Sequence, residues 1–226
     1  MPTSKKVYFI SGIDTDSGKT FATGLIAKSL LDQGKIVITQ KIAQTGCTDI
    51  SIDILKHREL MGVDLFAEDI SKITCPYCFS IPASPHLAAK LEGKTIDITV
   101  INKNTATLLS QFNYVLLEGA GGLLVPINDE LFTIDFIKQQ NYPLILVTSA
   151  KIGSINHTLL SIEACKNRGI ELAGIVFNEF PEVLEAIRID SREIIKTKLL
   201  NSYPHAFFTD IPLITSTFTK TVIFTI

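Results

Sequence analysis

The chain lacks an excess of either charge. Its 226 residues hold 21 Lys and Arg against 23 Asp and Glu, a formal net charge of −2. That is not the basic surplus that nucleic acid or an acidic membrane surface selects. No apolar run approaches the roughly 18 residues of a membrane span. A secretory leader is not expected either: Met1-Pro2-Thr3-Ser4-Lys5-Lys6 passes straight into a short apolar stretch ending at Gly12. A leader needs a longer apolar region and a small-residue cleavage site. The expected location is therefore the cytoplasm, where Cys47, Cys75, Cys78 and Cys165 are expected as free thiols. Cys75-Pro76-Tyr77-Cys78 has zinc-ligand or redox spacing. A structural zinc site needs four ligands, and the sequence offers no second CxxC or His pair at the usual spacing. A thioredoxin-type motif would end an early strand and open a helix, whereas Pro82 and Pro85 follow here and imply a loop. Two ordinary cysteines are the simpler reading. There is also no internal repeat, low-complexity segment or linker rich in Gly, Ser or Pro, so one domain over residues 1–226 is expected.

What is present is globular: 46% hydrophobic and 19% charged residues. Short apolar runs at Val7–Ile10, Ile36–Thr39, Tyr114–Leu117, Leu144–Val147 and Leu172–Phe177 read as buried strands. Helices are expected over Phe21–Leu31, closed by Gly34, and over Asp53–Leu60. Others follow from Ser84-Pro85 through Leu91, from the cap at Asp97 to about Ser110, from a cap at Ser154 to Arg168, and from Pro181 to about Leu199. Continuous apolar strands alternating with helices imply an α/β fold, a mostly parallel sheet covered on both faces. The tail from Thr217 to Ile226 alternates Thr with larger side chains. That is a strand-like period that suits an edge strand, a swapped arm or a poorly ordered end.

Gly12-Ile13-Asp14-Thr15-Asp16-Ser17-Gly18-Lys19-Thr20 follows the first strand and opens the first helix. It is a P-loop with one extra residue between its glycines. Glycines let backbone wrap a phosphate, and amides at a helix N-terminus favour anions. Lys19 is expected on the β- and γ-phosphates and Thr20 on Mg²⁺. A plain Gly-rich turn with a helix cap is the bland alternative, and the order strand, loop, Gly-Lys-Thr, helix weighs against it.

Open parallel sheets bind ligands beyond their carboxyl strand ends. The polar residues there are Lys41 after the second strand, Glu118 before Gly119-Ala120-Gly121-Gly122, and Asn178. Lys41 suits a γ-phosphate as a second cation, or is a solvated surface lysine. Glu118 suits Mg²⁺, or is a salt-bridged carboxylate. The Gly-Ala-Gly-Gly run allows a ligand close to backbone, and the Asn178 amide offers both donor and acceptor to an adenine edge.

Together these segments resemble dethiobiotin synthetase. The family's G-x-D-T-x-x-G-K-T loop is matched by Gly12 to Thr20, with Asp16 where Glu is usual. Its K-P-[VI]-x-[ST]-G segment is matched by Lys41 to Gly46, with Ile42 in place of proline. Its S-P-H segment is matched at Ser84-Pro85-His86, and its E-G-A-G-G segment by Glu118 to Gly122. Its K-x-G-x-I-N-H segment is matched by Lys151 to His157, and its G-x-x-x-N segment by Gly174 to Asn178. The matches run in order from Gly12 to about Pro212. An aromatic residue that the family carries after Asn178 has no clear counterpart between Glu182 and Leu199, and the Thr-rich tail replaces a family helix around the base.

The resemblance implies Mg-ATP-dependent carboxylation of 7,8-diaminononanoate by CO₂ or bicarbonate and closure of a cyclic urea, by a homodimer with its site across the interface. By the same resemblance, Lys19, Lys41 and Thr15 are catalytic. Asp16, Ser17, Gly18, Lys19, Thr20, Glu118, Gly121 and Asn178 hold ATP, and Thr20, Asp53 and Glu118 hold Mg²⁺. Thr45 meets the substrate's reacting end, and Ser154, Ile155 and Asn156 receive the carboxylate of substrate bound to the neighbouring subunit. His86 and His157 read as packed histidines. Two other readings share the loop. A corrinoid-type amidoligase would need a glutaminase domain, for which the chain is short. A MinD/ParA-like ATPase switch has an early loop lysine, where this chain has Ile13 and Asp14. A paralogue that binds ATP without turnover is a third alternative.

Overall fold

The computed structural model describes residues 6–213 and residue 224. Strand β1 (Lys6–Gly12) alternates its side chains between two packed layers. Tyr8 and Ile10 join one core cluster, while Val7 and Phe9 join the other. That alternation is the two-residue period of a strand buried on both faces. Helix α1 (Lys19–Asp32) follows and buries Ala22, Ile26, Ala27 and Leu30 against the Tyr8 and Ile10 side. Gly34, at φ 73, ends it as expected, with its amide on Leu31 O at 2.8 Å and the Lys35 amide on Leu30 O at 2.9 Å.

The chain continues through β2 (Val37–Lys41), the short β3 (Gln44–Thr45), α2 (Ile52–Met61), α3 (Ala67–Ile70), β4 (Cys78–Phe79), α4 (Pro85–Leu91) and α5 (Ile98–Gln111). It then forms β5 (Tyr114–Gly122), α6 (Thr133–Gln140), β6 (Leu144–Ser149), α7 (Ser154–Asn167), β7 (Leu172–Asn178), α8 (Glu185–Ser202) and β8 (Phe207–Ile211). Six strands form one sheet in the order β2-β5-β1-β6-β7-β8, and every pairing in it is parallel. The phosphate-loop strand β1 thus lies inside the sheet between β5 and β6. A separate parallel pair, β3 with β4, matches Gln44 to Cys78 and Thr45 to Phe79.

Helices cover both faces. Ile101 and Leu108 of α5, Ile134, Phe136 and Ile137 of α6, Ile162 of α7, and Ile195 and Leu199 of α8 share one cluster with Phe9 and Leu117. Full burial of a side chain of this kind contributes about 1.5–3 kcal/mol each. The α/β class, the parallel sheet and the two covered faces agree with the sequence reading.

Several boundaries differ from expectation. Strand β5 does not stop at Leu117 but runs on through Gly122, because Gly12 pairs with Gly122 at its far end. Helix α7 is capped by Gly153 at φ 95, not by Ser154, which is the first helical residue with its hydroxyl on Ser149 Oγ at 3.1 Å. Pro181 does not open a helix: α8 starts at Glu185. The Glu179 amide bonds to Ile211 O at 2.9 Å and holds the segment after β7 along the sheet end. Cys78 lies in β4, so the CxxC segment is only partly loop. The expected tail strand lies outside the described residues. Phe224 alone is described there; it is buried on α1, with its amide on Ser29 Oγ at 2.9 Å.

Candidate functional site

The phosphate loop spans residues 13–18 between β1 and α1. Asp16 and Gly18 take left-handed φ values of 58° and 94°. At Gly18 a Cβ would stand 2.3 Å from Asn178 Nδ2, so any other residue must push that side chain aside and take a left-handed φ. At Gly12 a Cβ would meet Ser17 Oγ at 2.2 Å and Lys19 Nζ at 2.9 Å. The loop is therefore folded tightly on itself. Lys19 Nζ donates to the Asp14 carbonyl at 3.0 Å. Burial, then the nearby charge of Lys41, lowers its pKa to about 8. Ser17 Oγ is buried and has no partner among the described residues. A buried unpaired hydroxyl inside a phosphate loop is what an incoming anion would satisfy.

Lys41 ends β2 and is the register partner of Glu118 on β5. Both sit at the carboxyl edge of the sheet. Lys41 Nζ lies 2.7 Å from Glu118 Oε1 and also pairs with Asp53 of α2. Asp53 in turn accepts from Thr20 Oγ1 at 3.0 Å. Burial alone would discharge Lys41, but Glu118 and Asp53 outweigh it and raise its pKa. Burial likewise opposes the charge on Glu118, and Lys41 followed by His57 overcomes it and drives the carboxyl well below the usual range. Both carboxylates close on Lys41 Nζ, and the Thr20 hydroxyl bonds the other oxygen of Asp53, so the cluster already holds one cation. Hard oxygen donors of this kind suit Mg²⁺, which is normally held by one or two carboxylates plus substrate phosphates. Among the described residues, no group of three or more His, Cys, Asp or Glu forms a metal cage. Mg²⁺ would therefore need phosphate oxygens to complete its shell.

Helix α2 places Asp53 because Ser51 caps it, its side chain accepting from the Ile54 amide at 3.3 Å. Its buried face holds Ile54, His57, Arg58 and Met61, and two of these four are polar. His57 Nε2 is 3.0 Å from Glu118 Oε2, and its Nδ1 is 3.0 Å from Thr39 Oγ1. Arg58 Nη1 donates to the same Thr39 oxygen at 2.8 Å. A carboxylate only accepts, so Nε2 carries a proton toward Glu118. Thr23 Oγ1 adds a bond of 2.6 Å to Glu118. His57 and Thr23 were not legible as site residues. The available signal was the four-residue spacing of Asp53 and His57 on one helix.

The phosphate loop and the Lys41, Asp53 and Glu118 side chains line one cavity of about 1240 Å³. Thr15, Asp16, Gly18, Lys19, Thr20, Lys41, Thr45, Asp53, Glu118, Gly121 and Asn178 all reach it. Ser17, buried within the loop, is not among the lining residues. Asn178 Nδ2 donates to Ser17 O at 3.3 Å, and its Oδ1 accepts from the Phe180 amide at 3.1 Å. One donor and one acceptor position of its amide stay available, with Phe180, Ile211 and Pro212 on the same wall.

A family model described as AAA domain matches residues 6–204. ATP-dependent dethiobiotin synthetase BioD 2 of Haemophilus influenzae is 59% identical over 177 residues, 78% of this chain and 93% of that protein. The Haemophilus ducreyi protein of the same name is 51% identical over 203 residues, covering 90% and 96% of the two chains. The chain belongs to the dethiobiotin synthetase family. The dethiobiotin synthetase of Chlorobaculum tepidum is 51% identical over 194 residues, 86% of this chain and 81% of that one. A solved structure of pNOB8 ParA bound to nonspecific DNA superposes with a TM-score of 0.54 at 16% identity, covering 91% of this chain and 86% of that one. That likeness concerns the fold alone.

Membership of the dethiobiotin synthetase family makes the chain an ATP-dependent ligase of biotin biosynthesis. Among the residues expected for this family, Ser154, Ile155 and Asn156 do not line the cavity. Ser154 is buried and bonded to Ser149, and Asn156 is exposed at the start of α7. Within its own chain this trio is separate from the site. No helix among the described residues is long and apolar enough to cross a membrane.

Proposed function

We propose that the chain carboxylates 7,8-diaminononanoate and closes the ureido ring of dethiobiotin at the expense of ATP, in the cytoplasm. The observation that carries this is the meeting of two lysines with opposed carboxylates in one cavity: Lys19 and Lys41 beside Asp53 and Glu118. The cavity exceeds the roughly 300–1,000 Å³ usual for one ligand, which suits a nucleotide and a second substrate side by side.

One amine of the diamine adds CO₂ and loses a proton, giving a carbamate. The carbamate oxygen attacks the γ-phosphorus of ATP, and ADP leaves. The second amine attacks the carbon of the resulting carbamic-phosphoric anhydride, expelling phosphate and closing the ring. Lys19 and Lys41 neutralise the phosphate and carbamate oxygens as these approach, a gain in positioning and charge rather than covalent chemistry. Thr15 and Thr45 hydrogen-bond the reacting end. Asp16, Ser17, Gly18 and Gly121 wrap the phosphates, and Asn178 meets the base. Thr20, Asp53 and Glu118 would hold Mg²⁺, which would offset the negative charge of the phosphates.

The placement of Ser154, Ile155 and Asn156 outside the chain's own cavity supports a homodimer. There the N-terminus of α7 receives the carboxylate of substrate bound to the neighbouring subunit. Phosphate release from Mg-ATP with bicarbonate tests the reaction, with and without the diamine, together with the product mass. Release that requires the diamine and yields the cyclic urea is the expected result. Turnover that ignores the diamine would overturn the reading and move the chain toward an ATPase switch.

A further inference from the structure

The CxxC segment is not spent by the reaction, and its backbone is bonded to the chain segment that lines the cavity. Cys75 and Cys78 are free thiols with their sulfurs 3.8 Å apart. Cys47 approaches Cys78 from β3's side, with its own Sγ on Ile50 O at 3.2 Å. The backbone around the pair is bonded rung by rung to the segment that lines the cavity. The Lys41 amide donates to Thr74 O at 2.7 Å, the Gln44 amide to Tyr77 O at 2.8 Å, and the Cys47 amide to Phe79 O at 2.9 Å. Gln44 accepts from Ser51 Oγ at 2.7 Å, and Ser51 caps the helix that carries Asp53. Tyr77, between the thiols, therefore sits one hydrogen bond from the strand of Gln44 and Thr45.

We propose that Cys75 and Cys78 form a reversible disulfide, a redox modification site whose state is felt along residues 41–47. The reaction partner is a low-molecular-weight disulfide, RSSR. The Cys78 thiolate attacks one of its sulfurs, breaking the S–S bond and releasing RS⁻. The Cys75 thiol then loses its proton and attacks the Cys78 sulfur of the mixed disulfide, forming the Cys75–Cys78 bond and releasing the second RS⁻. The protein loses two electrons and two protons, and RSSR becomes two RSH. A disulfide requires sulfurs about 2.05 Å apart, so the pair closes from 3.8 Å by side-chain and local backbone rotation. That movement pulls on the Tyr77 and Thr74 carbonyls and so on the Gln44 and Lys41 amides.

The order of attack follows from the surroundings. Cys78 is half-buried, whereas Cys75 is buried. A hydrogen bond with Cys75 lowers the Cys78 thiol to about 7 despite its burial, with Lys72 also favouring the thiolate. The same hydrogen bond and burial hold Cys75 well above the ordinary thiol range. The accessible, more acidic thiol is the one that meets an external disulfide. Cys165, sealed in the core and pushed up to about 12 by burial, provides an internal comparison that does not react.

The test uses the whole reduced protein, incubated in graded ratios of oxidised to reduced glutathione. Thiols are counted by alkylation, links are mapped by peptide mass, and amide exchange is followed over residues 41–47. The expected result is a Cys75–Cys78 link, several-fold faster exchange at residues 41–47, and reversal of both by dithiothreitol. Cys75→Ser should stop at a glutathione adduct on Cys78, and Cys78→Ser should show neither link nor faster exchange. Intact thiols in the native protein, a Cys47–Cys78 link in place of the proposed one, or a Cys75–Cys78 link that leaves exchange over 41–47 unchanged would each overturn the proposal.

Discussion

His57 holds Glu118 from inside the protein: its Nε2 lies 3.0 Å from Glu118 Oε2, with both side chains wholly buried. The opposite carboxylate oxygen faces Lys41. One carboxylate is thereby fixed between an internal imidazole and a cation at the cavity wall. His57→Ala removes the internal hold and leaves Glu118 short of a donor. Losing a buried bond to a charged group costs about 1.5–3 kcal/mol, so the unfolding midpoint should fall. The Mg²⁺ concentration for half-maximal turnover should also rise several-fold. His57→Gln, which keeps a donor, should restore much of both. An unchanged metal titration in His57→Ala, with only stability lowered, would show that His57 merely packs.

Lys41→Ala should lower turnover by about 10²–10³-fold, the usual loss when one charge-stabilising donor is removed. Mg-ATP binding should be largely retained, because the phosphate loop and Lys19 are untouched. Single-turnover kinetics alongside nucleotide titration separates the two. Near-normal rates would remove Lys41 from the chemistry.

Glu118→Gln keeps shape but removes the charge that Lys41 and the metal share. The expected change is a higher Mg²⁺ requirement with little change in nucleotide affinity at saturating metal. A metal titration that superposes on the wild type would take Glu118 out of the metal shell.

At Gly18 a side chain meets both a left-handed backbone and the Asn178 amide at 2.3 Å. Gly18→Ala costs about 1–2 kcal/mol of local strain from φ alone. The Cβ also displaces Asn178 from the Ser17 carbonyl. Calorimetry should show nucleotide affinity falling by more than tenfold while the circular dichroism spectrum is kept. Retained affinity would mean that the loop has room the structure does not indicate.

Arg58 and Asp69, off the cavity lining, give a pH signature of their own. The guanidinium meets both carboxylate oxygens at 2.8 Å, and Thr74 and the Phe66 amide also donate to Asp69. Burial raises the Asp69 pKa, but Arg58 and these donors outweigh it and leave it below the ordinary value. A depressed carboxyl contributes stability above its unfolded pKa, about 3.9, and loses it as pH falls through the folded value. Asp69→Asn should therefore be less stable than wild type at neutral pH, by about 3–5 kcal/mol for a broken buried pair. The gap should narrow as pH drops below about 4. Urea unfolding at several pH values checks this; a gap that stays constant into acid would deny the pair its role.

The sheet was legible because its strands are continuous apolar runs, and the binding edge because polar residues end those runs at Lys41, Glu118 and Asn178. His57 and Arg58 were hidden since they occupy buried positions of a helix whose apolar signal they erase. Helix α6 was missed because Phe132 precedes it with no side-chain cap, and β8 because Phe207–Ile211 is a half-buried edge strand. Ser154 looked like a cap by residue type, while the left-handed turn needed at that position fell to Gly153.

The strand order also constrains how the chain is made. β1 emerges first, yet both its neighbours, β5 and β6, begin only at residues 114 and 144. Until then its backbone groups have no lasting sheet partner, and the phosphate loop has no wall to close against. The β2 strand waits as well, since β5 stands between it and β1. A nascent chain halted before residue 114 therefore carries every cation of the site but no sheet to seat them, and the nucleotide pocket comes into being only with the second half of synthesis.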